Sequence, residues 1–372
     1  MFIGLVYSGR SRLWRSGQGG IKASGELMAG IKRRQRNFDE GLLRVLTRAG
    51  RPGYLPFYEH IASPGFVGRM LDLVGRPPGQ RSRWADQVDF WLAMGYDCIP
   101  MEVPPNLPLP AVTGGSHGSE AHVIIRTLAD FDKYPWPAES NPIDFAPFEA
   151  VAGMLPDGVK IVGGVAAGPF EWVSMMLGIV GISYALADCP ELVERMFQRI
   201  GDLHVSAVRQ LATLDAVGAL RQGDDLGFKT ATFLPPDVLR KFVLPIYKRM
   251  AAEAHRAGKP FILHSCGNLA EIYDDIIDCG VDAKHSFEEV ILPVEQFKQQ
   301  FGRRITPLGG LDVDMICRGR PDEIRAYTRG KIEQCFAADG HWALGTGNSL
   351  TDYMPVENYL LVLEEGIRMT GS

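Results

Sequence analysis

Two side chains that bind soft metal ions lie two residues apart in the segment 259–268. The apolar run Pro260–Leu263 leads directly into His264, Ser265 and Cys266, and a glycine follows. A short apolar run of this kind is typical of a buried parallel strand that meets a turn. Because side chains alternate along a strand, His264 and Cys266 are expected on one face, where they could bind a soft metal ion. The structural alternative is a hydrogen-bonded histidine and a buried cysteine at a strand end.

The composition is that of an ordinary globular protein. The chain has 372 residues, 46% of them hydrophobic and 22% charged, with a formal net charge of -5. This charge gives no support to nucleic-acid or anionic-membrane binding, and no apolar run is long enough to span a bilayer. Six scattered cysteines without a CxxC pair indicate reduced thiols. We therefore expect a cytoplasmic protein with no nucleic-acid or membrane partner.

The charge is unevenly distributed along the chain. Residues 1–36 contain eight Lys or Arg and one Glu, a net charge of +7, and they show no hydrophobic period. We interpret them as a basic, disordered N-terminal arm, and a transit-like presequence is the alternative. Residues 37–372 are expected to form a single domain.

Eight strand-like segments alternate with helix-like segments along this domain. Repeated βα units predict a parallel sheet, and eight of them predict an α/β fold of the (β/α)8 TIM-barrel type. A doubly wound open sheet is the alternative, but its first strand normally leads into a glycine-rich phosphate turn, and here the sequence continues as EHIASPG. The strand candidates are residues 54–58, 96–101, 160–164, 218–222, 260–264, 281–285, 304–308 and 341–345.

Polar residues stand at the carboxyl ends of these strands, where TIM barrels place their active sites. Each has a structural alternative: aspartates cap helices, a lone histidine is usually satisfied within a core, and an asparagine shapes turns. Adjacent strand residues point in opposite directions, so one of Asp224 and Asp225 is expected to face the cavity. The set comprises Glu59, His60, Glu102, Asp224, Asp225, His264, Cys266, His285, Asp312, Thr346 and Asn348.

Six motifs carry a family resemblance. They are RTLADFDKYPWP (126–137), GVAAGPFEW (164–172), PPDVLRKFVLPIYKRM (235–250), KPFILHSCGN (259–268), GGLDVD (309–314) and GTGNSLTDYMPVENYL (345–360). With these motifs the chain resembles the uroporphyrinogen decarboxylase superfamily over residues 37–370. That superfamily also includes cobalamin-dependent methyltransferases. The resemblance implies a (β/α)8 barrel, in agreement with the strand count.

The decarboxylase branch fits less well. Its members carry an Arg-rich segment after the first strand and an Asp after the second. Here no arginine lies between Tyr54 and Arg69, and Glu102 occupies the second position. A cavity lined by Glu59, Glu102 and Asp225 is also expected to repel a polycarboxylate. Decarboxylation of a porphyrinogen-like substrate is therefore the alternative function.

The methyltransferase branch carries the His-x-Cys pattern that His264 and Cys266 match. In that branch the motif binds zinc together with a cysteine in the closing glycine-rich turn, where this chain has Thr346. A third ligand is therefore expected from elsewhere. The candidates are Glu59, Glu102, Asp225 and His285.

The resemblance thus implies a methyltransferase or demethylase that exchanges a methyl group between a small methoxy-, methylamino- or folate-type compound and a corrinoid protein. The cobalamin is expected on that partner, because this chain lacks the Asp-x-His-x-x-Gly sequence that grips it. The chain itself is expected to act as a monomer or a homodimer. A catalytically silent barrel that serves as a binding module is the alternative from another class.

Roles follow for the residues at the strand ends. The resemblance implies that His264 and Cys266 bind zinc. The remaining site residues divide into a catalytic set, Glu102, Asp225 and His285, and a substrate-binding set, Glu59, Asp224 and Asn348.

Overall fold

The structure, a computed structural model, describes residues 37–76, 79, 82–109 and 123–370. The predicted basic arm, residues 1–36, lies outside the described residues. A six-stranded parallel sheet forms the centre, and its strands follow one another in chain order, so each pairs with its sequence neighbours. The strands are β1 (Cys98–Val103), β2 (Lys160–Val165), β3 (Val217–Gly223), β4 (Phe261–His264), β5 (Ala283–His285) and β6 (Thr306–Pro307).

Helices surround this sheet. A π-helical turn, Asp39–Leu43, leads into the first α-helix, and a 3₁₀ turn, Ala270–Ile272, precedes the eleventh. The α-helices are α1 (Arg44–Thr47), α2 (Pro64–Leu73), α3 (Arg83–Ala93), α4 (Leu128–Lys133), α5 (Ala146–Ala152), α6 (Pro169–Leu177), α7 (Ile179–Asp188), α8 (Pro190–Ala212), α9 (Pro236–Phe242), α10 (Leu244–Arg256), α11 (Tyr273–Asp278), α12 (Val294–Phe301), α13 (Val313–Arg318), α14 (Pro321–Cys335) and α15 (Val356–Thr370).

The first and eighth predicted strands form single bridges instead of ladders. Leu308, just after β6, pairs in parallel with Ala343, and Leu344 pairs in parallel with Phe57. These bridges extend the parallel order through the positions of both predicted strands. Within the described residues, no ladder joins the Phe57 segment to β1, so the hydrogen-bonded sheet is not closed.

Side-chain packing nevertheless unites all eight predicted strand positions around one interior. Each position contributes one buried residue, and the first helical segment closes the amino-terminal end of the strands with Phe38, Leu42, Val45 and Leu46. This packing confirms the α/β barrel class, because an interior shared by eight parallel strand positions is its defining feature. The eight residues are Tyr58, Cys98, Val162, Ala219, Ile262, Ala283, Leu308 and Ala343.

The longest helix, α8, shows how the outer layer forms. Pro190 occupies its first turn, where the missing N–H needs no partner, as the sequence predicts. Its buried face packs against β2, β3 and α10, so its apolar stripe lies within the main core between sheet and helices. Among the described residues, no single helix combines the length and apolar character needed to cross a membrane; α6 and α7 meet that test only jointly, as a pair bent by 85°.

The register of the sheet decides which polar residues meet. Gly223 pairs with His264, and His264 pairs with His285 across the next strand. Three carboxyl-terminal strand residues therefore lie in one row. Because parallel strands end at the same edge, the residues that follow them converge above this row.

Candidate metal centre

Asp225, His264 and Cys266 form a compact cluster at the ends of β3 and β4. Their ligand atoms all lie within 4.8 Å of one another. His264 Nε2 is 3.5 Å from Cys266 Sγ and 3.8 Å from Asp225 Oδ1. Of the four sequence candidates for a third ligand, Asp225 is therefore the residue that joins His264 and Cys266 in the cluster.

The donor set and its spacing fit zinc. A tetrahedral zinc ion with bonds of about 2.0–2.3 Å separates its ligand atoms by roughly 3.3–3.8 Å. The Nε2–Sγ and Nε2–Oδ1 distances of 3.5 and 3.8 Å fall in that range. One nitrogen, one thiolate sulfur and one carboxylate oxygen are all ordinary zinc ligands, and three of them leave one position for a substrate atom.

Cys266 is held by three polar neighbours. Its backbone N–H donates to Asp225 Oδ1 at 2.9 Å, while Asn348 Nδ2 lies 3.3 Å from Sγ and Ser286 Oγ lies 3.6 Å from it. Burial raises the pKa of this thiol, and the Asp225 carboxylate raises it further. Metal binding would therefore be needed to hold the sulfur as a thiolate at neutral pH.

The imidazole rings of His60 and His285 pack against the ring of His264. His264 Nδ1 lies 2.7 Å from His285 Nδ1, and the His60 ring stacks on the His264 ring with centroids 3.8 Å apart and planes 10° apart. Burial lowers the pKa of His285 to about 3 and lowers the pKa values of His60 and His264 well below their usual range. All three rings are therefore neutral at physiological pH.

The two adjacent aspartates diverge, as alternation along a strand predicts. Asp225 faces the cluster. Asp224 accepts hydrogen bonds from the backbone N–H groups of Phe170 and Glu171 at the start of α6 and from the Tyr247 hydroxyl. Burial raises the pKa of Asp224 to about 7. These contacts give Asp224 the place of a helix cap, and its predicted role in substrate binding stays a prediction.

Glu59 is fully buried and turned toward the closing turn. Thr346 donates to its carboxylate through both the backbone N–H and Oγ1, each at 2.6 Å, and the Tyr359 hydroxyl donates at 3.0 Å. Burial raises the pKa of Glu59 to about 8. The side chain of Thr346, at the position where the family resemblance implies a cysteine ligand, is thus bound to Glu59.

Glu102 is paired with a buried arginine. Arg221 NH2 lies 3.1 Å from Glu102 Oε2, and NH1 donates to His60 Nδ1 at 3.1 Å. Gly164 separates Glu102 from Arg221 in the sheet register, and a Cβ at Gly164 would lie 2.9 Å from Arg221 Cγ. The glycine therefore gives the arginine side chain room beside β2.

The predicted cavity lining of three uncompensated carboxylates, those of Glu59, Glu102 and Asp225, is wrong. Glu102 is compensated by Arg221, and burial raises the pKa of the Glu59 carboxyl to about 8, which disfavours its charge. The sequence argument treated every carboxyl as a free anion, because its partners come from strands distant in the chain. Repulsion by three free carboxylates therefore no longer argues against a polycarboxylate substrate.

Sequence reasoning did not single out two buried cations near the site, Arg221 and Lys284. Lys284 Nζ donates to the carbonyl oxygens of Ser265 and Ser286 and lies 4.4 Å from the centre of the Phe287 ring. Burial lowers its pKa to about 8. The available signal was a long cationic side chain within a predicted strand of the barrel, where burial requires a partner.

The remaining strand-end residues divide in the same way. Asn348 contacts the cluster through Cys266, and His285 contacts it through His264. Asp312 caps α13, because its Oδ1 accepts the Met315 N–H at 2.7 Å. The functional roles proposed for Glu59, Glu102, Asp225, His285 and Asn348 stay predictions.

Comparison with known proteins adds the family and the fold. A family sequence model described as "Uroporphyrinogen decarboxylase (URO-D)" matches residues 113–366. No curated protein sequence matches the chain. Among solved structures, a methyltransferase from Methanosarcina mazei superposes with a TM-score of 0.62 at 19% sequence identity, covering 88% of this chain and 97% of its own.

Proposed function

Because the chain belongs to the uroporphyrinogen decarboxylase family, we propose that it is an enzyme that moves a methyl group between a small substrate and a corrinoid protein. The substrate class is a methoxy, methylamino or folate-type compound. The observation that carries the proposal is the Asp225, His264 and Cys266 cluster, which offers a three-ligand metal site at the functional end of the barrel. A decarboxylation site of this family needs no such cluster.

In this proposal His264 Nε2, Cys266 Sγ and an Asp225 oxygen hold zinc. Bound there, the ion would supply a Lewis acid that polarises the heteroatom bearing or accepting the methyl group. Glu102, whose side chain is 18% exposed and whose pKa is raised by burial, exchanges a proton with that heteroatom. Asn348, beside the cysteine sulfur, orients the substrate at the open position.

The corrinoid belongs to a partner protein in this proposal. The chain has no Asp-x-His-x-x-Gly sequence to hold cobalamin itself. The fold is shared with the Methanosarcina mazei methyltransferase, which supports methyl transfer as the reaction class.

The direct test is methyl transfer between cobalamin and a panel of methoxylated aromatics, methylamines and methylated folates. Purified protein is incubated with cob(I)alamin, and methylcobalamin is followed by its absorbance. We expect turnover with at least one class and none after His264→Ala. Absence of transfer in either direction, combined with decarboxylation of a porphyrinogen, would replace this proposal with the decarboxylase alternative.

A second test measures zinc in protein purified without an affinity tag. We expect close to one zinc per chain and a loss of affinity of at least about a hundredfold in Cys266→Ser, because a serine hydroxyl is a poor zinc ligand. Cys317→Ser, which changes a partly buried thiol on α13, is the matched control. Equal zinc content in both variants would contradict the metal assignment.

The catalytically silent alternative makes the opposite prediction. If the barrel serves only as a binding module, Glu102→Gln and His264→Ala leave its cellular function intact. Loss of function in these variants, with retained folding by circular dichroism, would exclude that reading.

A further inference from the structure

A chain of hydrogen bonds runs from the closing turn to the metal-binding nitrogen. The Thr346 carbonyl oxygen lies 3.0 Å from His285 Nε2. A carbonyl oxygen can only accept a hydrogen bond, so His285 Nε2 must carry the proton. Since a neutral imidazole holds one proton, His285 Nδ1 is left with a free lone pair and can only accept.

The tautomer of His285 determines the tautomer of His264. His264 Nδ1 lies 2.7 Å from His285 Nδ1, so one of these two atoms must donate. Because His285 Nδ1 is the acceptor, His264 Nδ1 carries the proton. The other nitrogen of His264, Nε2, therefore presents its lone pair to Cys266 Sγ and Asp225 Oδ1.

We propose that His285 and the Thr346 carbonyl are a positioning device that fixes His264 in the tautomer whose Nε2 is ready to bind metal. The inference rests on the metal site of the proposed function. It assigns His285 a role through His264, whereas the sequence analysis placed His285 in the catalytic set. A metal-binding histidine commonly has its second nitrogen held by a partner, and such partners tune metal affinity.

The backbone at Gly309 leaves room for the hydrogen bond between His285 and Thr346. Gly309 has a φ of +66°, and a Cβ there would lie 2.2 Å from the Thr346 carbonyl oxygen and 3.0 Å from His285 Nε2. A side chain at position 309 would therefore disrupt the hydrogen bond between His285 Nε2 and the Thr346 carbonyl oxygen. On the other side, the sheet register places His264 directly opposite His285.

The Thr346 backbone thus serves the metal site without supplying a ligand. Its N–H and Oγ1 bind Glu59, while its carbonyl oxygen accepts from His285. Thr346 stands where the family resemblance implies a cysteine ligand, and in this proposal its carbonyl oxygen orients His264 through His285.

The primary experiment reads the tautomer directly in metal-free protein. Long-range ¹H–¹⁵N spectra of histidine-labelled full-length protein distinguish the two tautomers by the nitrogen shifts, and the His264 signals are identified by their loss in His264→Gln. We expect His264 with its proton on Nδ1 and His285 with its proton on Nε2. A wild-type spectrum with the His264 proton on Nε2 would overturn the proposal.

A pair of variants tests the consequence for metal binding. His285→Phe keeps a ring but removes the acceptor, and we expect zinc affinity to fall about 10- to 100-fold in chelator competition. His285→Asn retains an acceptor near the position of Nδ1, and we expect its affinity to stay within about threefold of the wild type. Equal affinities in the two variants, with both folded, would also overturn the proposal.

The two proposals fail in different ways. If the wild type binds no zinc, the metal site of the proposed function is wrong, and the tautomer in the metal-free spectrum still decides the role of His285. If zinc binds but the His264 proton sits on Nε2, the metal site stands and the positioning role falls.

Discussion

Asp225 makes one structural hydrogen bond and is also one of the three candidate metal ligands. Its Oδ1 accepts the Cys266 N–H at 2.9 Å, which fixes the loop after β4, and the same oxygen lies 3.8 Å from His264 Nε2. The hydrogen bond is satisfied by any acceptor of that shape, whereas metal binding favours the negative charge. The structural hydrogen bond and the proposed metal binding can therefore be separated by a substitution that retains the oxygen and removes the charge.

Asp225→Asn makes this separation. The amide oxygen can still accept the Cys266 N–H, so we expect the free energy of unfolding to change by less than about 1 kcal/mol. Zinc affinity is expected to fall at least about tenfold, because a neutral amide is a weaker ligand than a carboxylate. Urea unfolding and chelator competition measure the two quantities. Unchanged zinc affinity would remove Asp225 from the ligand set.

Glu59 predicts a pH dependence of stability. Burial raises its pKa from the ordinary 4.5 to about 8 in the folded chain. Between these values the folded state binds more protons than the unfolded state, so this group's contribution to stability decreases as the pH rises from about 4.5 to 8.

Glu59→Gln removes that proton without changing the shape of the side chain. We expect the decline in the free energy of unfolding between pH 5 and 8 to be shallower in the variant than in the wild type. Parallel urea titrations across this range measure the slopes. Glu357→Gln, on the first turn of α15, is an exposed control, and equal slopes in all three proteins would contradict the raised pKa of Glu59.

At the scale of elements, an ion pair connects β1 and β3 in addition to the backbone hydrogen bonds of the sheet. Arg221 on β3 lies beside Gly164 on β2 and reaches Glu102 on β1. The guanidinium is completely buried, while the carboxylate is partly exposed at the cavity. A buried charge is tolerated only with its partner, so this pair fixes the relative arrangement of three strands.

Arg221→Ala should therefore be strongly destabilising. Removing one partner leaves the Glu102 charge without compensation, and we expect a loss of about 3–5 kcal/mol in the free energy of unfolding. Arg318→Ala breaks an exposed pair with Asp314 and is expected to cost less than about 1 kcal/mol. Urea denaturation of both variants provides the comparison. A loss as small as that of the control would show that the buried pair contributes little.

Asp224 links two elements that are distant in the sequence. It follows β3 but caps α6, which follows β2, and Gly168 allows the close approach because a Cβ there would lie 2.1 Å from Asp224. Its carboxylate compensates the N–H groups at the helix start, which carry partial positive charge. Of the two adjacent aspartates, Asp224 thus caps a helix and Asp225 faces the candidate metal centre.

At the scale of the whole molecule, the two ends of the barrel serve different purposes. The amino end is closed by the apolar side chains of the first helical segment, and the carboxyl end carries the candidate metal centre. This separation is typical of TIM barrels, in which one face stabilises the fold and the other carries the chemistry. Among the described residues, the barrel unit begins near Phe38, whose N–H donates to the Gly158 carbonyl oxygen.

The basic segment 1–36 is predicted to be dispensable for this unit. A chain that starts at Asn37 has a formal net charge of -5 - 7 = -12. We expect its melting temperature to stay within about 3 °C of the full-length value, because the apolar contacts of the first helix are retained. Differential scanning calorimetry of both proteins tests this. A large decrease would show that residues 1–36 pack against the barrel.

The sequence by itself determined the fold class, the family and two residues of the candidate metal centre. Alternating apolar strands and helical segments predict a parallel barrel because local periodicity reports burial directly. The pair His264 and Cys266 was found from their spacing within one segment. The divergence of Asp224 and Asp225 also followed from local geometry, since side chains alternate along a strand.

The tertiary structure decided every feature that depends on partners distant in the chain. It chose Asp225 from four candidate ligands, paired Glu102 with Arg221 and directed the Thr346 side chain to Glu59. The state of each carboxyl and imidazole depends on its burial and on neighbours contributed by other strands. Strand register sets those neighbours, and register results from packing the whole barrel, so it cannot be derived from any single segment.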